Sequence, residues 1–328
     1  MDICYGNTLY GRSITSSSCS SWEGTPKGER RLKAKAYSPG GLSGFFSTHI
    51  VEGDLLHTGA WGGGIALRKG VYVAVEVEEG TKTEIITTLN GKRADLFVSR
   101  RVAERLLLRT DKQYRVIIKQ SIELPMGGGL GTSGASALAT ALALGKALGL
   151  KLTYEELARE AHIAEVECKT GLGTISGLVT GGVVLVIKPG APGFDRTVRI
   201  LAEPSLRVVI GFYAPIEKKK VLEGKDISRI DEIGREALSR ILEKTDIVHF
   251  LETCKWFSQT TGLMGNRVKR GIEAAEKAGA LGASQAMIGE TVFALVEKDM
   301  VEDVSAALRT TGAKITISEI EWCAARLL

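Results

Sequence analysis

A strand-like segment, "YRVIIKQSIEL" (Tyr114–Leu124), runs directly into "PMGGGLGTSGASALATALALGKALGL" (Pro125–Leu150), and this junction constrains the fold more than any other stretch. Seven glycines lie between 127 and 149, four of them within five positions. In regular structure each would cost up to about 1 kcal/mol relative to alanine, so their clustering asks for a gain elsewhere. From Ser133 onward the residues are small or apolar, with Thr140 the lone β-branched one, and the pattern predicts a buried helix. A loop of bare amides at a helix N-terminus is a ready anion site, and Thr132, Ser133 and Ser136 add hydroxyls. The alternative is a glycine-rich turn that only lets the chain enter a core helix.

Two familiar phosphate motifs fit poorly. The Walker A loop needs a lysine after its last glycine, and here Ala135 follows Gly134. The dinucleotide spacing G-x-G-x-x-G is formally present over Gly129–Gly134, after a strand and before a helix. It should lead to a second strand ending in an acid that binds ribose. The next segment is instead "LKLTYEELARE", another helix pattern, with Thr153 and Glu156 spaced as a capping box.

Elsewhere the chain is mixed α and β. "SPGGLSGFF" (Ser38–Phe46) reads as turn-rich, "VYVAVEVE" (Val71–Glu78) alternates as a half-buried strand, and Asn90-Gly91 signals a turn. "DLFVSRRVAERLLLR" (Asp95–Arg109) has helical spacing; "GGVVLVIKPGAPG" and "LRVVIGFYAP" read as strands. Three helical stretches span Asp226 to about Lys277, broken at Lys244–Thr245 and Thr261–Gly265. "TVFALVEK", a helix "VEDVSAALRT" and a last strand "KITISEI" close the chain, and the Pro/Gly turn at Pro189–Gly193 divides it into expected units of 33–190 and 191–328. Residues 1–32, rich in Ser, Gly and charge, are expected to be a disordered tail or to result from a mis-assigned start.

Composition narrows the function classes. The net charge of +5 comes from 43 basic residues scattered among 38 acids, with no basic stripe for nucleic acid. The five cysteines form no CxxC pair and are odd in number, which argues against a zinc cluster or a disulfide framework. The longest apolar run, Ala135–Leu150, is short for a bilayer and carries Lys146. These observations point to a soluble cytoplasmic protein with a small anionic substrate and neither nucleic-acid nor membrane partner.

The loop "PMGGGLGTSGASA" resembles the P-x3-G-L-(G)-S/T-S-x-(S)-A loop of the GHMP kinase superfamily. "SPGGLSGFF", "AHIAEVECKTGLGT" (Ala161–Thr174), "GGVVLVIKPGAPG" (Gly181–Gly193), "APIEKKKVL" (Ala214–Leu222) and "ASQAMIGETVFALV" (Ala283–Val296) extend the likeness over most of the chain, and together resemble the archaeal pantoate kinase branch. The resemblance implies an α/β (α+β) GHMP kinase fold of two lobes, the first like ribosomal protein S5 and the second ferredoxin-like, with the active site between them. It implies ATP and Mg²⁺ as cofactors, the 4-hydroxyl of pantoate as phosphoryl acceptor in coenzyme A synthesis, and a homodimer as a common state. Another hydroxy acid or alcohol as acceptor, or a non-catalytic nucleotide-binding paralogue, are the alternatives.

Residue by residue, the resemblance assigns the ATP phosphates to Gly127, Gly128, Gly129, Leu130, Gly131, Thr132, Ser133 and Gly134. Ser133 and Glu165 match the metal-holding hydroxyl and acid; on spacing alone Glu165 reads equally as a solvated helix-face charge. His162, one helical turn before Glu165, would face the acceptor, or else be an ordinary hydrogen-bonded helix histidine. Lys169 and Lys188 are candidate cations for the acceptor carboxylate, against a reading as solvated surface lysines, and Ser43 and "GAWGGG" (Gly59–Gly64) would line the acceptor pocket. The chain departs from the pattern at Thr174, which stands in the catalytic set where an aspartate base is expected, and at Gly41, where a histidine is expected. A threonine cannot take up a proton at neutral pH, so transfer by positioning alone is one expectation.

Overall fold

Two sheets organise the chain in the computed structural model, which describes residues 32–216 and 223–328. The expected tail up to Arg31 and most of "EKKKVL" lie outside the described residues. The first sheet has eight strands: β1 (Leu32–His49), β2 (Gly59–Glu79), β3 (Glu84–Leu89), β4 (Lys92–Arg93), β5 (Tyr114–Ile122), β6 (Val183–Lys188), β7 (Arg196–Ile200) and β12 (Arg326–Leu327). Its main order is β12-β1-β2-β5-β3-β4, with β6 on β2 and β7 on β6. The second sheet, β11-β8-β10-β9, is formed by β8 (Arg207–Ala214), β9 (Gly282–Gln285), β10 (Glu290–Val296) and β11 (Lys314–Glu319). This antiparallel order, with helices after its first and third strands, is the arrangement of a ferredoxin-like lobe.

"SPGGLSGFF" departs from its expectation: it is the middle of β1, not a turn. Glycine-rich sequence here serves close strand approach, with bulges between Pro39 and Gly40 and between Ser43 and Phe45. A Cβ on Gly64, opposite on β2, would sit 2.1 Å from the Leu42 carbonyl oxygen. The Asn90-Gly91 signal does mark the β3–β4 hairpin, both residues having positive φ.

Helices α1 (Phe97–Leu107), α2 (Thr132–Leu148) and α3 (Tyr154–Glu167) cover one face of the first sheet. Every residue of α2 from Gly134 to Gly145 is buried, as a helix apolar on all sides requires. Its leucines each contribute about 1.5–3 kcal/mol by burial. Thr140, the one β-branched residue after the loop, has its hydroxyl satisfied by Gln120. The Thr153–Glu156 capping box opens α3 as expected.

The second half carries α4 (Thr174–Thr180) within the first unit and then α5 (Ile227–Glu243), α6 (Ile247–Thr260), α7 (Asn266–Lys277) and α8 (Val301–Thr310). Two features blur a division at 190–191. Strand β7 extends the first sheet to Ile200, and the chain end returns to pair Ala36 with Leu327. One apolar core also runs across both sheets, joining Leu42, Phe45 and Ile65 to Phe250, Phe257 and Phe293. The halves are thereby held in fixed register, and the glycine loop lies at their seam.

Candidate active site

Three glycines of the loop, Gly127, Gly129 and Gly131, have φ of 75°, 75° and 61°, a region that side chains rarely enter. The loop is gripped from both halves of the molecule. Gly41 N–H donates to the Leu130 carbonyl at 3.1 Å, Ile216 N–H donates to the Gly127 carbonyl at 3.0 Å, and a Cβ on Gly129 would lie 2.8 Å from the Ala286 carbonyl oxygen. Buried Leu130 anchors the turn in the shared core. Helix α2 then starts at Gly131 with no side-chain cap and no acid in its first turn. Its first amides and its positive dipole end therefore remain available to an anion, with half-buried Thr132 and Ser133 beside them.

Glu165 faces this helix start. It is not the solvated charge that its spacing allowed: it is 1% exposed. Its Oε1 accepts a hydrogen bond from Thr170 Oγ1 at 2.8 Å, while Oε2 is buried without a partner. A Cβ on Gly134 would lie 2.8 Å from that Oε2 and 2.8 Å from the Thr174 methyl. Glu165, Thr174 and the first turn of α2 thus converge on one point. An unpaired buried carboxylate oxygen costs free energy, and a cation or donor brought by a ligand would remove that cost.

The other sequence-selected residues are spread around this centre. Ser43 sits half-buried at the β1 bulge, where its carbonyl accepts from Met287 N–H at 2.8 Å and ties the two halves together. His162 is 1% exposed, and its ring contacts the carbonyls of Thr58, at 2.9 Å from Nε2, and Leu55. Burial holds its pKa below the usual imidazole range, so it anchors the 54–58 turn as a neutral ring. The open acceptor contact expected of it is not made directly. Lys169, in left-handed conformation with φ 57°, and Lys188 are both exposed. The two departures, Gly41 and Thr174, are neighbours: a Cβ on Gly41 would lie 3.9 Å from the Thr174 methyl and 3.0 Å from Leu178 Cδ2. A histidine at 41 would need Leu178 to move.

Sequence reasoning missed Arg159, Ser176 and Asp195, which gather at the 189–195 turn. Desolvation by burial pushes the Asp195 carboxyl above the usual carboxylate range, and the nearby Lys188 charge opposes that shift. No sequence spacing links α3, α4 and the β6–β7 connection, so only the fold brings these three together.

The family models for the N terminal domain and the C terminal region of GHMP kinases match residues 97–182 and 235–314. The chain belongs to the GHMP kinase family. Within it, the chain is similar to the pantoate kinase of Thermococcus kodakarensis, with 31% identity over 290 residues, covering 87% of this chain and 95% of that one. The pantoate kinase of Methanocaldococcus jannaschii is 30% identical over 275 residues, with 83% and 96% covered. A solved structure described as a phosphotransferase related to the CoA biosynthesis pathway superposes with a TM-score of 0.82 at 28% identity, over 90% of this chain and 99% of that one.

Proposed function

We propose that this protein transfers the γ-phosphoryl group of ATP to the 4-hydroxyl of pantoate, giving 4-phosphopantoate for coenzyme A synthesis. The observation that carries this reading is the unpartnered Oε2 of Glu165 facing the uncapped start of α2, in a chain related over most of its length to pantoate kinases. The amides of Gly127 to Gly134 cradle the phosphates, and the α2 dipole balances charge on the transferred group. Such transfer depends chiefly on positioning and electrostatics, which a rigid loop clamped from both halves supplies.

The donors present fit Mg²⁺. The Ser133 hydroxyl and the Glu165 carboxylate are hard oxygen ligands at the phosphate loop, and Mg²⁺ commonly takes one or two protein oxygens beside phosphate and water. Among the described residues no group of three or more His, Cys, Asp and Glu forms a cage that would hold another metal. When bound there, Mg²⁺ neutralises charge on the phosphate oxygens. Thr174 holds no proton acceptor, so acceptor orientation replaces a general base at this position. Ser43, Lys169 and Lys188 border the acceptor side, and His162 supports it through the 54–58 turn. The protein works in the cytoplasm as a homodimer on small molecules, without nucleic-acid or membrane partners; no helix among the described residues is long and apolar enough to cross a membrane.

A coupled ADP-release assay with ATP, Mg²⁺ and a panel of hydroxy acids and alcohols tests the reading. Pantoate is expected to give the highest kcat/KM. Faster turnover of another acceptor would move the assignment to that compound, and ATP binding without turnover of any acceptor would reduce the protein to a nucleotide binder.

A further inference from the structure

Beyond Glu165, three buried polar atoms without a hydrogen-bond partner cluster at one turn: Arg159 Nε on α3, Ser176 Oγ on α4 and Asp195 Oδ2 in the β6–β7 connection. Gly193 links them. Its N–H donates to Asp195 Oδ1 at 3.2 Å, and a Cβ placed on it would lie 3.8 Å from Arg159 Nη2 and 3.9 Å from Nε. Ser176 is 0% exposed and stands beside the Asp195 carboxylate without closing a hydrogen bond to it. The Arg159 guanidinium lies 5.6 Å from the Phe194 ring centre, and the edge of that ring system is held in turn by His57 at 5.1 Å. Stacking fixes the guanidinium plane while no described acid pairs with it.

Each of these groups lacks what a small hydroxy acid offers. A guanidinium takes a carboxylate through two parallel N–H donors, a carboxylate accepts a hydroxyl proton, and a serine hydroxyl does either. Leaving all three unpaired in the interior costs stability, and one ligand would satisfy them together. The spacing to the phosphate loop also suits a small acceptor. Thr174, which begins α4, touches the Cβ positions of Gly131 and Gly134, and Ser176 comes two residues later, about 3 Å along the helix axis.

We propose that Arg159, Ser176 and Asp195 form the subsite for the 2-hydroxy carboxylate end of the acceptor, with Arg159 pairing its carboxylate and Asp195 accepting its hydroxyl proton. This rests on the reading of the protein as a hydroxy-acid kinase and replaces exposed Lys169 and Lys188 as the carboxylate's partner.

The test is titration calorimetry and steady-state kinetics on the full chain with pantoate and with its carboxylate-free alcohol, comparing wild type, Arg159→Met, Arg159→Lys, Asp195→Asn and Lys188→Met. Arg159→Met is expected to raise the pantoate Kd and KM about 10- to 100-fold, with the KM for ATP unchanged and the preference for pantoate over the alcohol lost. Arg159→Lys should recover part of this preference, Asp195→Asn should weaken both ligands, and Lys188→Met should leave pantoate binding near wild type. Thermal melting verifies that each variant folds. Wild-type binding of pantoate that Arg159→Met leaves unchanged would overturn the subsite while sparing the kinase reading. Wild type that binds another hydroxy acid instead would overturn the pantoate assignment, and the same variants then decide the subsite with that acid. Wild type that binds no hydroxy acid of the panel overturns both.

Discussion

Glu165 Oε2 stands 2.8 Å from where a Cβ on Gly134 would be, so the third residue of α2 can carry no side chain while that carboxylate keeps its place. The Thr174 methyl closes the same space from the other side, also at 2.8 Å. Helix start, carboxylate and α4 are therefore fitted to one another through an absent methyl group.

A Gly134→Ala variant probes that fit directly. Alanine favours a helix, but its methyl must displace Glu165 or Thr174, and displacement by about 1 Å near the transferred group costs about 100-fold in rate. We expect kcat/KM to fall by at least that factor with the melting temperature little changed. Near-normal kinetics would mean that Glu165 can move without consequence, against its assigned role.

Ser133→Ala separates the metal site from its surroundings. Loss of the hydroxyl should lower kcat about 100- to 1000-fold and raise the Mg²⁺ concentration needed for half-maximal rate. Cys168→Ser, at the half-buried end of α3, should stay close to wild type. Equal and small effects of the two changes in the same assay would contradict a metal-holding Ser133.

Thr174→Val asks whether the hydroxyl at this position moves a proton. Valine keeps the methyl contact with α2 and removes the oxygen. If positioning suffices, kcat should drop by less than about tenfold, short of the roughly 100- to 10,000-fold that a general base supplies. Glu165→Gln should lose at least about 100-fold alongside it. A Thr174→Val loss as large as that of Glu165→Gln would assign the hydroxyl an essential part.

Local pattern carried part of this architecture and nonlocal packing the rest. The phosphate loop, the buried α2 and the Thr153 capping box were legible because their signals lie within a few neighbouring residues. The β1 glycines misled, since a turn and a bulged strand under close backbone approach use the same residue type. Burial of Glu165 and His162 was not readable from helix spacing: it depends on a bare Gly134 and on the 54–58 turn, each distant in sequence. Arg159 and Asp195 gave no signal at all, because nothing local connects α3 with the turn after β6.

His162 provides a check of that packing that does not depend on turnover. Its ring is buried against the Thr58 and Leu55 carbonyls, and desolvation lowers its pKa below the usual imidazole value. Below about pH 6.5 the unfolded chain binds a proton that the native ring refuses. The stabilising difference is thus present above that pH and drains away as pH falls toward the lowered native value. The wild-type melting temperature should decline on acidification from about pH 7 to about pH 5, and His162→Gln, which does not titrate, should decline less over the same interval. Parallel curves for the two proteins would show that the ring is solvated or protonated in the native state, and the 54–58 turn would then need another anchor.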